Sequence, residues 1–176
     1  SAGHRARAIV DGARERIAAA LGARPAEVVF TSGGTEANNL ALRGLALARP
    51  RGRHIVTTPI EHPSVLETCR FLERVHGFEL SLVPVDETGL VDPAAVEAVL
   101  RDDTTLVSVG LANGEVGTVQ PLGRIAVGLH RLGGRGVPVG LAADAGGHHV
   151  AGGLALDSVS PTGSSVAVYG NGVTVL

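Results

Sequence analysis

Short apolar runs alternate with stretches of helical periodicity through most of this chain, and few folds accommodate that rhythm. The runs cover residues 28–31, 54–58, 79–84, 104–110 and 137–143, and the helical stretches between them cover 35–48, 62–75, 93–100 and 121–132. An amphipathic segment over 4–21 comes first, where Ile9, Val10, Ala13, Ile17 and Leu21 recur at helical spacing ahead of Gly22. Val28-Val29-Phe30-Thr31 is a short apolar run of the kind that strands buried on both faces show. Pro63, Pro93 and Pro121 stand where three of the helices begin, a position at which the missing N–H costs little. Arg49-Pro50 ends another. Strands joined to helices by such short links predict an α/β fold with a three-layer, doubly wound, mostly parallel sheet. Ligands of such sheets bind beyond the carboxyl ends of the strands. The polar residues gather there: Ser32 to Asn39, Glu61-His62, Asn113 to Glu115, and Asp144. The sequence contains no internal repeat.

Composition narrows the function classes. A formal net charge of −2 over 176 residues gives no electrostatic case for nucleic acid or an anionic membrane surface as partner. With Cys69 as its one cysteine, the sequence allows neither an internal disulfide nor a cysteine-rich zinc site. No apolar run approaches the roughly 20 residues of a membrane span and no signal-peptide pattern opens the sequence, so the expected location is cytoplasmic. Phenylalanine occurs three times and tyrosine once, so the core has to be built from Val, Leu, Ile and Ala. All 15 basic residues are arginine; lysine is absent. From Gly133 onward there are 11 glycines in 44 residues, and the charged residues are Arg135, Asp144 and Asp157 alone. That stretch reads either as a tightly turned, buried part of the same domain or as a divergent, glycine-rich end.

Three segments carry chemistry. Phe-Thr-Ser-Gly-Gly-Thr-Glu-Ala-Asn-Asn, residues 30–39, sets two glycines between a strand and a helix, which lets the backbone approach an anion closely. The helix N-terminus adds free N–H groups and a positive dipole end, and Thr35 adds a hydroxyl. A plain glycine turn with a helix cap is an equal reading, and the spacing matches neither the Walker pattern nor Gly-x-Gly-x-x-Gly. Glu61-His62-Pro63-Ser64-Val65 puts a histidine at a strand end on the same sheet edge. It could stack on a flat ring, move protons, or serve as a structural cap. Asp144 closes an apolar strand, where a carboxylate is costly unless paired, with either an arginine or a cofactor as partner. His148-His149 lie just beyond without a third ligand, so no metal site is expected.

Taken in order, these motifs resemble one family. Residues 30–39, then Glu-His-Pro-Ser-Val-Leu-Glu-Thr-Cys-Arg at 61–70, then Ala-Asn-Gly-Glu-Val-Gly-Thr-Val-Gln-Pro at 112–121, then Ala-Asp-Ala at 143–145, are similar to the cysteine desulfurases of the NifS/IscS type. Those enzymes belong to the class V aminotransferase group of fold type I pyridoxal 5′-phosphate (PLP) enzymes. The resemblance implies that residues 1–176 form part of the PLP-binding large domain, with 133–176 as its divergent end and the small domain missing. It implies that Gly34 N–H and the Thr35 hydroxyl hold the PLP phosphate, that His62 stacks on the pyridine ring with a possible acid–base role, and that Asp144 pairs with the pyridine nitrogen. Thr162 would add a phosphate hydroxyl, and Asn113 would compensate for an amide that Gly114 lacks. Cys69 matches a helix position of the family other than its sulfur-carrying cysteine and is expected to be structural.

The same resemblance exposes departures. The family follows its aspartate strand with Ser-Gly-His-Lys, whose lysine forms the Schiff base with PLP. Here Thr162-Gly163-Ser164-Ser165 is the best match, so Ser165, or Val166 if the gap is moved, stands at the lysine position, and the chain has no lysine to replace it. Gly147 stands where the family has glutamine. The chain also covers less than half of the family's usual length. The resemblance therefore implies a cysteine-desulfurase-like protein, converting L-cysteine to L-alanine with sulfur transfer, in a truncated or divergent form that is catalytically incomplete as it stands. A homodimer and a sulfur-acceptor protein are the implied partners, and iron–sulfur cluster assembly is one pathway the family serves. The alternatives are a non-catalytic fold relative or assembly partner, and another class V lyase such as selenocysteine lyase.

Overall fold

The computed structural model describes residues 1–20, 23–48, 50, 52–125, 139–143, 166–170 and 173–175, the last three segments as strand backbone. Helix α1 (Ala2–Ala20) leads through a 3-10 turn (Pro25–Glu27) into β1 (Val28–Phe30), and α2 (Gly34–Ala48) follows. Then come β2 (His54–Thr57), α3 (Pro63–His76), β3 (Glu79–Leu82), α4 (Pro93–Val99) and β4 (Thr104–Ala112). Residues 122–125 are helical, and β5 (Val139–Ala143), β6 (Val166–Gly170) and β7 (Val173–Val175) complete the described elements.

The strands form one sheet in the order β1-β7-β6-β5-β4-β2-β3. Pairing is parallel from β3 through β2, β4 and β5 to β6, and antiparallel on both sides of β7. The expected α/β architecture with its mostly parallel sheet is therefore what the chain adopts. The two antiparallel pairings of β7 extend it, and they leave β1 parallel to the main body.

Alternation along the central strands explains the layers. In β2, Ile55 joins one apolar cluster with Leu42, Val65, Leu72, Phe78 and Leu106, whereas Val56 joins another with Val83, Val96, Val107 and Ile125. Neighbouring residues of β4, Leu106 and Val107, divide in the same way. Successive side chains of a strand point to opposite faces, so α2 and α3 cover one face, and α4 with residues 122–125 covers the other. Both faces are buried, which is why the runs read as continuously apolar.

Local chemistry sets the helix ends. Pro63 and Pro93 occupy the first helical turns of α3 and α4, as their spacing predicts, behind caps from His62 and Asp92. Gly77 closes α3 at φ 67°, a left-handed conformation that costs an L side chain more than it costs glycine. Among the described residues no helix is long and apolar enough to cross a membrane.

Candidate functional site

A cavity of about 1070 Å³ opens beyond the carboxyl ends of β2 and β4. Gly34, Thr35 and Asn38 of α2, the corner Glu61-His62 with Ser64, the turn Asp86–Gly89, and the stretch from Gly110 to Val116 supply most of its wall. Parallel strands bring their following loops to one edge, and that placement is the structural reason why segments 30 to 80 residues apart meet here.

The α2 end of the cavity offers bare backbone. The side chain of Glu36 folds back to accept from Ser32 N and Ser32 Oγ, each at 2.6 Å, and these bonds hold its carboxyl below the usual range. The first intrahelical bond runs from Ala37 N to Gly33 O at 3.1 Å, so the N–H groups of Gly34 and Thr35 lie in the turn that no helix can satisfy from within. Among the described residues, nothing lies within 4 Å of the point where a Cβ at Gly33 or Gly34 would sit. An anion can therefore approach the helix end without meeting a side chain there, with the dipole in its favour.

The β2–α3 corner is held by a half-buried carboxylate and an exposed histidine cap. Glu61 Oε1 accepts from Gly110 N at 2.8 Å and from Thr58 Oγ1 at 3.0 Å, clamping the corner to β4. Burial raises the Glu61 carboxyl above its ordinary value, and the bonds from Gly110 and Thr58 oppose that rise. A Cβ at Gly110 would stand 3.1 Å from Glu61 Oε2, so glycine there gives the carboxylate its room. His62 is exposed at the cavity wall and caps α3 through Nδ1, which accepts from Ser64 N at 3.1 Å. Ser64 Oγ lies 2.8 Å from the same nitrogen and accepts from Asn38 Nδ2 at 2.7 Å. A bond between α2 and α3 thus ends on the histidine.

The third wall is a pair of turns. Asn113 Oδ1 accepts from Glu115 N at 2.9 Å and Val116 N at 3.0 Å, while its Nδ2 donates to Ile60 O at 3.1 Å. Most of the amide is thereby spent on shaping the turn, and one amide hydrogen is left over. Across the cavity mouth, Asp86 Oδ1 organises the turn to Leu90, accepting from Thr88 N, Thr88 Oγ1 and Leu90 N. Gln120 ties that turn down by donating to Gly89 O at 2.7 Å and accepting from Val91 N at 2.9 Å.

Of the residues singled out in the sequence, Gly34, Thr35, His62 and Asn113 share this one cavity. Asp144, Thr162 and Ser165 lie outside the described residues. Cys69 is buried in the apolar cluster on α3, and burial, helped by the nearby Glu61 charge, pushes its thiol up to about 12. It is a core residue. The sequence motifs contain Asn38, Ser64 and Glu61 but gave them no role of their own in the site. The signal was their presence inside the two motifs, but only the fold shows that they bond to one another and to β4. Among the described residues no cluster of three His, Cys, Asp or Glu side chains is placed to hold a metal ion.

The donor set suits PLP in part. Open N–H groups and a hydroxyl at a helix N-terminus fit its phosphate, and a planar, cavity-facing imidazole fits the face of its ring.

Comparison with known proteins agrees with this geometry. The sequence profile of the aminotransferase class-V family matches residues 1–150. The cysteine desulfurase IscS of Dictyoglomus turgidum is 49% identical over 121 residues, covering 68% of this chain and 30% of that protein. The cysteine desulfurase IscS of Methanosarcina thermophila is 50% identical over 114 residues, covering 64% and 28% respectively. A solved NifS-like protein superposes with a TM-score of 0.85 at 33% identity, over 100% of this chain and 49% of its own. The chain thus spans about 30% of the length of the curated relatives it matches.

Proposed function

We propose, from the premise that this chain belongs to the aminotransferase class-V family, that it is a cysteine-desulfurase-like protein whose cavity binds PLP. The observation that carries the reading is the meeting of the α2 N-terminus, with Gly34 and Thr35, and His62 on one wall beyond the strand ends. Gly34 N–H and Thr35 would hold the phosphate, and His62 would lie on the ring. By resemblance Asp144 would face the pyridine nitrogen, and Thr162 would add a second hydroxyl at the phosphate. When bound, PLP supplies an electron-withdrawing ring that stabilises negative charge on an attached amino acid. The residues of this chain bind and orient. Gly34 and Thr35 fix one end of the ligand, His62 sets the ring plane, and Glu61 holds the histidine-bearing corner against β4.

L-Cysteine is the proposed substrate class, with L-alanine and transferable sulfur as products. A homodimer, a sulfur-acceptor protein such as one serving iron–sulfur cluster assembly, and a cytoplasmic location complete the reading. Residues 1–176 then make up part of a PLP-binding large domain, with 133–176 as its divergent end. One observation favours a second reading, a non-catalytic relative of the fold: Ser165 stands at the lysine position of a chain without lysine. A hydroxyl cannot form an imine, so this chain alone is expected to bind PLP without covalent attachment.

Absorbance titration of the 176-residue chain with PLP, followed by borohydride reduction and mass spectrometry, separates the readings. Saturable binding that Thr35→Ala weakens about tenfold, with no reduced adduct, supports non-covalent binding at this site. No binding at all would overturn the cofactor reading. A reduced adduct inside the cavity would overturn the incomplete-site reading.

A further inference from the structure

His62 meets the helix behind it through one nitrogen only. Its Nδ1 accepts from the backbone N–H of Ser64 at 3.1 Å. A peptide N–H is fixed by its plane and cannot exchange roles as a hydroxyl can, so Nδ1 must carry a lone pair there. In the neutral ring the proton then sits on Nε2.

The surrounding bonds point the same way. Asn38 Nδ2 donates to Ser64 Oγ at 2.7 Å, which leaves the hydroxyl hydrogen free to turn toward His62 Nδ1 at 2.8 Å. The opposite amide orientation would make the hydroxyl donate to Asn38 and deprive Nδ1 of that hydrogen. It would also leave a buried NH2 with both hydrogens unmet, where Asn38 now leaves one amide hydrogen and Oδ1 without partners among the described residues. Asn38 and Ser64 are each 9% exposed, so water does not compete for this chain of bonds. His62 lines the cavity, and its Nε2 has no partner among the described residues.

We infer that the first turn of α3, with Asn38 and Ser64 as positioning residues, locks His62 as the Nε2–H tautomer, so that the imidazole offers the cavity a fixed hydrogen-bond donor. This deepens the cofactor reading, on which it rests for the identity of what His62 meets. The ligand group suited to that edge is an acceptor, an anionic or phenolic oxygen or an unprotonated nitrogen, and a ligand N–H at the same place is disfavoured. His62 therefore discriminates by the direction of a hydrogen bond as well as by ring stacking.

Long-range proton–nitrogen correlation spectra of the 176-residue chain with labelled histidine, near neutral pH and without ligand, test this. His62→Gln identifies the His62 signals among the seven histidines. The expected pattern is Nε2–H alone; an Nδ1–H pattern, or one averaged between the two, overturns the proposal. Ser64→Ala and Asn38→Asp, each verified as folded by circular dichroism, are expected to shift the pattern toward the average. A pattern unchanged in both removes Asn38 and Ser64 as positioning residues. Adding PLP to the wild-type chain tests the other layer. A perturbed His62 signal supports both readings, whereas an intact Nε2–H pattern with no PLP binding overturns the cofactor reading and leaves the tautomer assignment standing.

Discussion

β2 opens with one histidine, and the loop that leaves it ends with another. His54 is fully buried, and both of its ring nitrogens are taken, Nδ1 by Thr104 Oγ1 and Nε2 by Ser81 Oγ, each at 2.8 Å. It ties the starts of β2, β3 and β4 together beneath an exposed ion cluster in which Arg101 pairs with Glu79 and Asp103. His62 lines the cavity at the opposite edge of the sheet, with one nitrogen spent on a helix cap and the other without a partner among the described residues. The same side chain serves as a rivet at one rim and as a cavity-lining helix cap at the other. What separates the two uses is how many of its polar atoms the protein itself satisfies.

The largest effect that should follow is on stability. His54→Ala empties a buried site and strands two hydroxyls, for an expected loss of about 3 kcal/mol in urea unfolding. His62→Ala removes only a cap, about 1 kcal/mol. Equal losses would erase the distinction between the rims. Acid sharpens it further. Burial first, and then the Arg101 charge, lowers His54 from its ordinary value of 6.5, against the opposing pull of Asp103 and Glu79. The unfolded chain thus takes up the proton first, and the stability contribution of His54 is lost as pH falls through 6.5 toward the lower folded value. His54→Gln should flatten that acid limb.

Glu61 at the cavity rim has the opposite sign. Its folded value is raised, so the folded state takes up the proton first, and stability from this group grows as pH drops toward the ordinary 4.5. Glu61→Gln should remove that gain and change stability at neutral pH by less than about 1 kcal/mol, since the amide oxygen still accepts from Gly110 N. Glu61→Ala strands that N–H and should cost about 1–3 kcal/mol. An alanine variant as stable as the glutamine one would mean that the clamp on β4 contributes nothing. The smallest effect concerns Cys69. With its thiol pushed up to about 12, the folded chain should leave a thiol reagent unreacted at neutral pH and release one equivalent on unfolding. Rapid labelling of the folded chain would show that this helix face opens locally.

The two rims were not equally legible in the amino-acid sequence. The apolar runs and the prolines at helix starts disclose β1 through β5 and the helices α2, α3 and α4, because each signal acts within a few residues; of the helix expected over 121–132, only residues 122–125 lie among those described. Gly34, Thr35 and His62 are readable as a group once parallel strands are expected, since that topology gathers their loops. Thr104 and Ser81 lie 50 and 27 residues from His54, and nothing local announces that they will bracket its ring. Asn113 is a subtler case. Its amide reads as a ligand contact, yet the turn it shapes occupies most of it. The hairpin of β6 and β7 carries a local signal too, Asn171-Gly172 between two short Val-rich runs, but the glycine-rich surroundings dilute it.

The register of the first strand carries a consequence for how the molecule is assembled. Val28, Val29 and Phe30 pair with Val175, Thr174 and Val173, so β1 finds its neighbour nearly 150 residues further along the chain and cannot pair there until β7 has been synthesised. The glycine turn that follows Phe30 is therefore anchored on its upstream side by a strand made long after it. Loss of residues 173–175 from the sheet would remove the three rungs that hold β1, and with them one support of the turn ahead of α2.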